Sequence, residues 1–497
     1  MLRKLRIGLA TFFFLFVTVL FLDFTGTAHA WFGWMAKIQF LPAVLAMNFV
    51  VVAMLVLLTL VFGRIYCSVI CPLGVMQDVF AWFGKKTKKN RYSYSPAKSW
   101  LRYVVLALFV ASLVLGGGVL AKLIAPYSAY GRIAGTLLAP VWQWGNNVLA
   151  YFAERADSYA FYETEVWMKV GMTLSVAVAT LLLLLVLSWR GGRTYCNTIC
   201  PVGTVLGFLS RFSWLRPVMD KAKCVDCGLC AKNCKASCID VSRHEIDYSR
   251  CVACMDCIGK CRKGAIRYAH ASAEAQGGGG NSSSKAQMSE ARRAFLFAGA
   301  AFVASGSVKA QKMKVDGGLA KIEDKVIPER NTHIVPSGAL SVRHFAQHCT
   351  ACQLCVSACP NGVLRPSSDF SRLMQPEMSY ERGYCRPECT KCSDLCPTGA
   401  IRPITREEKS SIQIGHAVWI KNNCIPVRDG QSCGNCERHC PTGAIQMVPF
   451  DEGGKKSLKI PVVDVERCIG CGACENLCPA RPFSAIYVEG HENHRFI

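Results

Sequence analysis

The stretch CVDCGLCAKNC, residues 224–234, separates four cysteines by two, two and three residues, and CVACMDCIGKC at 251–261 repeats the spacing. A short loop of this kind wraps three thiolates around one [4Fe–4S] cube, while the fourth cysteine reaches a neighbouring cube. We therefore predict two adjacent cubes. Their ligands are Cys224, Cys227, Cys230 and Cys261 for one, and Cys251, Cys254, Cys257 and Cys234 for the other.

Two alternatives stay open for this pair of runs. Cys238 replaces Cys234 in one alternative, since neither Cys234 nor Cys261 is followed by the usual proline. Zinc replaces iron in the other, because zinc also takes four thiolates.

Four more cysteine runs follow in the second half of the chain, and all four end in Cys-Pro. Runs one and four are regular, whereas run two opens with three intervening residues and run three with eight. Each run supplies four ligands, so the sequence predicts four further [4Fe–4S] clusters, six in all. The ligands are Cys349, Cys352, Cys355 and Cys359 in run one, Cys385, Cys389, Cys392 and Cys396 in run two, Cys424, Cys433, Cys436 and Cys440 in run three, and Cys468, Cys471, Cys474 and Cys478 in run four.

All of these runs resemble those of bacterial ferredoxins, which implies α+β ferredoxin-like domains. The segments PTGAI at 397–401 and 441–445, and KGAI at 263–266, predict the turn and strand that follow a cluster loop in that fold. By analogy with four-cluster ferredoxin subunits, we expect run one to exchange its last cysteine with run four, and run two with run three. The predicted domains are a two-cluster domain at 215–270 and a four-cluster domain at 311–497.

The composition indicates a chain that lies partly in a membrane, because 51% of its 497 residues are hydrophobic and the mean hydropathy is +0.24. The 29 cysteines fall in tight runs of a long chain, which argues against a disulfide-stapled secreted protein. The sequence contains no Cys-x-x-Cys-His and no strand-flanked Gly-x-Gly-x-x-Gly. These absences argue against covalent c-type haem and against a nicotinamide site.

Four uncharged, mostly apolar stretches predict membrane-spanning helices, which need roughly 17–25 such residues. They are residues 7–22, 38–63, 103–121 and 170–189. Lys and Arg before the first span and after the second belong on the cytoplasmic side. These residues are Arg3, Lys4, Arg6, Lys85, Lys86, Lys88, Lys89, Arg91 and Lys98. We predict an α-helical four-span domain over 1–214 in the inner (cytoplasmic) membrane, with the amino terminus and the two-cluster domain in the cytoplasm.

The net charge of +23 is partly explained by these basic flanks, so it gives no reason to expect a nucleic-acid partner.

The segments GRIYCSVICPLG at 63–74 and GRTYCNTICPVG at 192–203 are repeats, each at the end of a predicted span. They indicate a duplicated helix pair. In each copy two cysteines are four residues apart and share a helical face. The four thiols, Cys67, Cys71, Cys196 and Cys200, are either an extra metal or redox site or small buried residues before a helix-ending proline; both interpretations stay open.

Residues 271–291, ASAEAQGGGGNSSSKAQMSEA, lack packing residues and predict a flexible linker. Arg292 and Arg293 then precede 15 uncharged residues and a small-residue site ending at Ala310, which matches a twin-arginine export signal at 292–310. At ~1.5 Å per residue the apolar stretch reaches about 22 Å, short of the ~30 Å core of a bilayer. The prediction is export of the four-cluster domain to the periplasm; a buried or amphipathic helix with a chance Arg-Arg is the alternative.

In combination, these motifs resemble the NapH-type and NapG-type proteins of periplasmic nitrate reductase systems and their MauN/MauM-like relatives. The first half resembles NapH through its four spans, its two Cys-x3-Cys-Pro motifs and its two cluster runs. The second half resembles NapG through its export signal and its four runs. The resemblance implies a quinol dehydrogenase component that passes electrons to a periplasmic reductase or cytochrome.

The predicted function is therefore electron transfer from the quinone pool through [4Fe–4S] clusters, and the sequence does not assign an enzymatic class beyond this. His29, Lys37 and Gln39 are candidates for a quinol head-group pocket, with ordinary interfacial roles as the alternative. Two other functions stay open: a redox assembly or maturation factor for a metalloenzyme, which would use the membrane thiols, and a conduit fed by a cytoplasmic ferredoxin.

Overall fold

The computed structural model describes residues 2–87, 92–114, 119–158, 160–164, 166, 171–270, 323–450 and 458–497. The predicted linker at 271–291 and the predicted export signal at 292–310 lie outside the described residues, so both stay predictions.

The amino-terminal part of the chain, up to residue 214, is helical. A π-helical turn at Ala134–Leu138 joins two of its helices. The helices are α1 (Leu2–Leu22), α2 (Thr27–Phe32), α3 (Trp34–Lys37), α4 (Phe40–Leu45), α5 (Phe49–Phe62), α6 (Tyr66–Val69), α7 (Pro72–Thr87), α8 (Ser99–Val114), α9 (Val119–Ile124), α10 (Pro126–Ile133), α11 (Ala139–Arg155), α12 (Met172–Gly191), α13 (Thr194–Thr198) and α14 (Pro201–Leu209).

Two helices of the described chain, α1 and α12, are long and apolar enough to cross a membrane, whereas α5 and α8 are apolar but shorter. Only 28% of the apolar stretch of α1 and 22% of that of α12 is buried. The core helix of a soluble protein buries an apolar face and exposes a polar one, so apolar helices this exposed favour contact with lipid.

The predicted second span, 38–63, is not one helix. It divides into α4 and α5 at Met47, whose φ is +53°, and at Asn48, whose side chain accepts the Val51 amide hydrogen and caps α5. An asparagine cap of this kind begins a new helix. The predicted third span, 103–121, starts within α8 and ends within α9.

The two sequence repeats adopt the same local structure. A glycine with positive φ ends the long helix in each copy, Gly63 after α5 and Gly192 after α12. A short helix, α6 or α13, then carries the first cysteine, and the Cys-Pro step begins α7 or α14. Since α7 packs against α12 and α14 against α5, each copy contributes a helix to the other.

Residues 215–270, here called the two-run unit, are framed by a pair of antiparallel strands. The elements are β1 (Leu215–Met219), α15 (Leu229–Lys232), β2 (Ile239–Asp240), β3 (Glu245–Ile246) and β4 (Ile266–His270). β1 pairs with β4 in a register that sets Leu215 opposite His270. β2 and β3 form a hairpin between the two cysteine runs, and β4 follows the KGAI segment as predicted.

Residues 323–497, here called the four-run unit, contain three antiparallel strand pairs among the described residues: β5 with β6, β7 with β10, and β8 with β9. The elements are α16 (Val342–His348), α17 (Leu354–Ala358), β5 (Leu364–Pro366), β6 (Pro376–Met378), α18 (Lys391–Leu395), α19 (Arg406–Ser411), β7 (Ile412–Trp419), α20 (Ile425–Arg428), α21 (Asn435–Arg438), β8 (Ile445–Phe450), β9 (Leu458–Val463), α22 (Ala473–Leu477) and β10 (Ile486–Phe496).

The two PTGAI segments differ. The one at 441–445 leads into β8, but no strand follows the one at 397–401 in the described chain, so that prediction was wrong. Ala400 and Ile401 are instead buried in the unit's core, and Arg402 donates a single backbone hydrogen bond to Gly338. One isolated bond replaces the strand ladder there.

The two units contact opposite ends of α1. Near its start, Arg3 Nε lies 2.7 Å from Asp256 Oδ1 of the two-run unit. Beyond its end, a Cβ added at Gly26 would lie 2.7 Å from Lys391 Nζ of the four-run unit. The helical part of the chain therefore lies between the two cysteine-rich units.

Candidate iron–sulfur sites

The loops of the four regular runs share one backbone conformation. In each run the second cysteine stands between two residues of positive φ, a region that curls the backbone tightly. The flanking pairs are Asp226 and Gly228, Ala253 and Met255, Ala351 and Gln353, and Gly470 and Gly472. Most of these residues are not glycine, and such strain, of order 1–3 kcal/mol each, persists where the surroundings enforce it at a functional site. The loops fit the wrapping of three thiolates around a cluster.

The last cysteine of four runs accepts a backbone hydrogen bond on sulfur, which favours a thiolate. The donor amide always belongs to the segment that follows the run. The pairs are Cys261 with Ala265 at 3.2 Å, Cys396 with Ile401 at 3.4 Å, Cys440 with Ala444 at 3.2 Å, and Cys478 with Ala485 at 3.4 Å.

In the two-run unit, Cys234 lies within electrostatic reach of Cys251, Cys254 and Cys257, the first three cysteines of the other run. Cys238 Sγ is 3.5 Å from Cys234 Sγ and also hydrogen-bonds Cys251. The hydrogen bond with Cys238 holds the pKa of Cys234 below that of an ordinary thiol. Cys234 and Cys238 thus both lie at the second loop, and the choice between them as its fourth ligand stays a prediction.

The other set of the two-run unit is more open. Cys224 and Cys227 both interact with Cys230, and Cys261 packs against the same small core as Cys224. Cys227 is exposed to solvent. The structure thus groups three thiols around the first loop and places Cys261 in the same core.

The expected exchange of cysteines among the four later runs was wrong. Cys396, the last cysteine of run two, interacts with Cys349, Cys352 and Cys355 of run one. Cys359, the last of run one, interacts in turn with Cys385 and Cys392 of run two. Run one therefore exchanges with run two, and not with run four.

Runs three and four exchange in the same way. Cys478 interacts with Cys424 and Cys436 of run three, and Cys440 interacts with Cys468 and Cys471 of run four. The reason is local: the hairpin β5–β6 returns the chain from run one to run two, and β8–β9 returns it from run three to run four. Each pair repeats the plan of the two-run unit, where β2–β3 does the same.

The four cysteine sets of the four-run unit, each named for the run that supplies three of its four thiols, lie in a series. Cys385 donates a backbone hydrogen bond to the Cys471 carbonyl at 2.9 Å, which joins the set led by run two to the set led by run four. Cys474 interacts with Cys436, which joins run four to run three. The set led by run one is the one against the helices, because a Cβ at Gly131 of α10 would lie 2.1 Å from the Cys352 carbonyl oxygen.

The four thiols of the repeats, here called the thiol quartet, are Cys67, Cys71, Cys196 and Cys200. The structure brings them together: all are buried, and each interacts electrostatically with others of the four. They share one continuous buried core with Cys254 of the two-run unit and Cys352 of the four-run unit.

Two fully buried arginines lie beside the quartet, and each one donates a hydrogen bond to the other repeat. Arg64 Nη2 donates to the Cys196 carbonyl at 3.2 Å, and Arg193 Nη1 donates to the Cys67 carbonyl at 2.7 Å. Each guanidinium also lies 3.9 Å from the thiol of its own copy. Four thiolates around a metal or cluster carry negative charge, so this cationic frame fits such a group.

Comparison with known families agrees with these sites. A family described as a 4Fe-4S binding domain matches residues 44–90 and 173–219, which contain the two repeats. A family described as a 4Fe-4S dicluster domain matches residues 348–411 and 431–481. The first dicluster match contains runs one and two, and the second contains run four with most of run three, in agreement with the exchange described above.

Three relatives are similar to part of the chain. The ferredoxin-type protein NapH of Haemophilus influenzae is 30% identical over 222 residues, 44% of this chain and 64% of NapH. The methylamine utilization ferredoxin-type protein MauN of Paracoccus denitrificans is 26% identical over 176 residues, 35% of this chain and 49% of MauN. YccM of Escherichia coli, whose name describes an electron transport protein, is 23% identical over 228 residues, 44% of this chain and 55% of YccM.

The chain is an iron–sulfur electron-transfer protein related to NapH, MauN and YccM. It spans between about half and two thirds of the length of these three relatives. No solved structure matches this chain. Its candidate membrane helices and its likeness to NapH indicate association with a membrane.

The three residues predicted to shape a quinol pocket differ in their burial. His29 is buried, with Nε2 2.7 Å from the Leu20 carbonyl and Nδ1 3.3 Å from Asp23. Gln39 is buried and accepts the Tyr66 hydroxyl at 3.0 Å. Lys37 is exposed. Hydrogen bonds within the protein thus occupy His29 Nε2 and Gln39 Oε1, and the quinol pocket at these residues stays a prediction.

Sequence reasoning missed the polar side chains around the thiol quartet. Besides Arg64 and Arg193, Gln77 Nε2 lies 3.3 Å from Cys196 Sγ, and Asp78 lies 2.8 Å from Arg193 Nε. The shared Gly-Arg at the start of both repeats was an available indication of the arginine pair. Gln77 and Asp78 have no equivalent in the second repeat, so the sequence offered no indication of them.

Proposed function

We propose that this chain oxidises a membrane quinol and passes the electrons to a periplasmic reductase or cytochrome. One observation carries the proposal: a single buried core links the two-run unit, the thiol quartet and the four-run unit, and the two units contact opposite ends of α1. A helix of this length and composition suits a bilayer crossing, so units at its two ends would face different compartments.

The proposed cofactors are six [4Fe–4S] clusters, each of which, when bound, accepts and releases one electron. Their proposed ligands are the six sets of thiols described above, with Cys234 in preference to Cys238. The shared loop conformation of the regular runs and the amide-to-sulfur hydrogen bonds support these assignments. The thiol quartet is proposed as a further metal or redox site.

The proposed topology has four spans, with the amino terminus and the two-run unit in the cytoplasm and the four-run unit in the periplasm. Basic residues gather where the helices meet the two-run unit. Arg3 pairs with Asp256, Lys85 Nζ donates to Asn233 at 2.6 Å, and Lys235 lies 3.1 Å from both Asp78 and Asp256. Such an excess of cations belongs on the cytoplasmic side.

The order of the cysteine sets suggests where the periplasmic acceptor binds. The set led by run one lies against α10, and the set led by run three ends the series. Beside that last set, residues 428–432 and 437–439 are exposed. We propose that the acceptor contacts this end of the four-run unit.

Reduction by quinol tests the proposed function directly. The chain is purified anaerobically in detergent, and the low-temperature EPR spectrum is recorded after adding menadiol or, separately, dithionite. Quinol is expected to produce reduced-cluster signals that make up part of the dithionite spectrum. Signals with dithionite and none with any quinol would overturn the proposal.

Two variants localise the electrons in the same experiment. Cys433→Ser removes a ligand at the far end of the series and should leave quinol reduction of the remaining sets intact. Cys352→Ser removes a ligand beside the helices and should abolish quinol reduction of the four-run unit, while dithionite still reduces its other sets. Equal effects of the two variants would contradict the proposed order.

The buried thiol quartet also favours a second candidate, a redox factor in the assembly of a metalloenzyme. A deletion strain separates the two. If the partner enzyme keeps its cofactors but receives no electrons, the first proposal holds; if it lacks its cofactors, the second does. Reduction by a cytoplasmic ferredoxin without any reduction by quinol would identify a conduit entered through the two-run unit, where Cys227 is exposed.

A further inference from the structure

Run two differs from the regular runs in how its first thiol is held. In each regular run, the first cysteine accepts on sulfur the amide hydrogen of the residue two positions further on, and that residue has a positive φ. Run two has one more residue between its first two cysteines, and residues 385–396, all described by the structure, include none of positive φ. The amide donors of the regular runs are Asp226, Ala253, Ala351 and Gly470.

In run two, a lysine side chain from another element bonds to the first thiol, that of Cys385. Lys409, on α19, hydrogen-bonds the Cys385 sulfur and lies within electrostatic reach of Cys392. Its Nζ also donates to the carbonyl oxygens of Arg386, at 2.6 Å, and of Cys389. Lys409 thus bonds to the loop at three points, and it takes the place that a loop amide has in the regular runs.

The sequence of α19 places this lysine. Thr405 and Glu408 form a capping box, in which each side chain bonds the backbone amide of the other residue, so the helix begins at a fixed position. Arg406, Glu407 and Glu408 are exposed, whereas Lys409 is 5% exposed. Lys409 is therefore the one charged residue of α19 that is buried.

The ammonium group of Lys409 has no carboxylate partner in the described part of the chain; its bonds are to carbonyl oxygens and to sulfur. By contrast, Lys235 near Cys254 lies 3.1 Å from each of two carboxylates, those of Asp78 and Asp256. A buried charge is costly unless it is paired. A negatively charged group held by the thiolates of the set led by run two would supply the missing counter-charge.

We propose that Lys409 raises the reduction potential of the [4Fe–4S] cluster proposed for the set led by run two. The inference rests on that proposed cofactor and not on quinol as the donor. The potential of such a cluster depends on its net charge and on hydrogen bonds to its sulfurs. One added electron makes the group more negative by one charge, so a fixed cation beside it stabilises the reduced state without a proton transfer. Lys409 lines one cavity with the four thiols of this set, Cys359, Cys385, Cys389 and Cys392.

The place of this set in the series gives the effect a function. The set led by run two lies between the set led by run one, which is against the helices, and the set led by run four, which it meets at the hydrogen bond from the Cys385 amide to the Cys471 carbonyl. A raised potential draws an electron from the first set into the interior of the four-run unit. Lys409 thus favours electron transfer away from the helices.

Variants that change the charge of Lys409 test the inference. Lys409→Gln keeps a hydrogen-bond donor for the loop and removes the positive charge, whereas Lys409→Arg keeps the charge. Each holo chain is reduced stepwise with dithionite at measured potentials, and the clusters are followed by low-temperature EPR. In Lys409→Gln, the ratio of reduced to oxidised cluster at a given potential should fall about tenfold for one component, a shift of about 59 mV to lower potential. Lys409→Arg and the control Arg406→Gln, at an exposed cation of α19, should keep the wild-type ratios.

Iron and acid-labile sulfide per chain verify that the clusters are present in every variant. A fully loaded Lys409→Gln chain in which every component titrates as in the wild type would overturn the role of Lys409 in setting the potential. Loss of one cluster, about four iron per chain, from Lys409→Gln would make Lys409 a support of the loop and would overturn that role as well. A wild-type chain without iron or labile sulfide would instead overturn the proposed cofactors.

Discussion

The two repeats around the thiol quartet are alike in their thiols and arginines and different in the residues just beyond. The first repeat continues with Gln77 and Asp78 after its Cys-Pro, whereas the second has Leu206 and Gly207 at the same positions. Asp78 neutralises Arg193 at 2.8 Å, whereas the oxygens that Arg64 bonds in the described part of the chain are neutral: Asn197 Oδ1 and the backbone carbonyls of Ser249 and Cys196.

Because these residues differ, each repeat contacts different neighbouring elements. Asp78 joins Arg193 to Arg6 of α1 and to Lys235 of the two-run unit. In the second repeat, Arg102 of α8 occupies the space beside Gly207 and, with Arg64, donates to the Ser249 carbonyl of the two-run unit. The two repeats therefore share their thiols and arginines, whereas Gln77, Asp78 and the contacts with neighbouring elements differ. Predictions that exchange or remove these features test the comparison.

Asp78→Asn should have the largest effect. It leaves Arg193 and Arg6 without their carboxylate and Lys235 with Asp256 alone, and breaking a buried charge network in this way costs about 3–5 kcal/mol. Chemical unfolding of the purified chain in detergent measures the loss. Asp429→Asn, at an exposed carboxylate, is the control and should leave stability unchanged.

The acid dependence of stability follows from the same residue. Burial alone would raise the pKa of Asp78, but Arg193, Lys235 and Arg6 outweigh it and hold that pKa well below its usual range. The carboxylate therefore contributes stability that is present above the unfolded pKa of about 3.9 and is lost as the pH falls below it. The melting temperature of the wild type should fall more steeply than that of Asp78→Asn between about pH 5 and 3. Parallel curves would mean that Asp78 is not charged in the folded chain.

Gly74→Ala and Gly203→Ala should have intermediate effects that are equal in the two repeats. A Cβ at either position would lie 2.2 Å from the carbonyl oxygen of the first cysteine in its repeat. Overpacking of this kind costs about 1–3 kcal/mol. Gly145→Ala in α11, where nothing lies within 4 Å, is the control. Unequal losses at the two glycines would show that the repeats are not equivalent near the thiols.

Gln77→Leu, which gives the first repeat the residue of the second, should have the smallest effect. It removes the hydrogen bond to Cys196, worth about 1 kcal/mol, but also an acceptor, Oε1, that has no partner in the described part of the chain. The free energy of unfolding should fall by less than about 1 kcal/mol. A loss as large as that of Asp78→Asn would show that Gln77 is essential to the quartet.

The sequence predicted those features that depend on spacing alone. Cysteine intervals indicated the cluster loops, and the repeated motifs indicated the quartet. The exchange of last cysteines was not predictable in this way, because it depends on the hairpins β5–β6 and β8–β9, which place consecutive runs side by side. The uninterrupted apolar stretch at 38–63 likewise gave no indication that the helix breaks at Met47 and Asn48.

The candidate quinol site shows the same limit. His29 and Gln39 have suitable chemistry and a suitable place in the sequence, but hydrogen bonds to Leu20 and Tyr66 occupy them. Burial and hydrogen-bond partners, which the sequence does not contain, bear on whether these residues can bind a ligand.

The central claim is that thiolate loops at the two ends of the helical domain hold iron–sulfur clusters. Iron and acid-labile sulfide per chain, measured on anaerobically purified protein, test it most directly. Six cubes predict about 24 of each, and a larger value would add an occupied thiol quartet. A chain that carries zinc in place of iron, or far less sulfide than iron, would contradict the account.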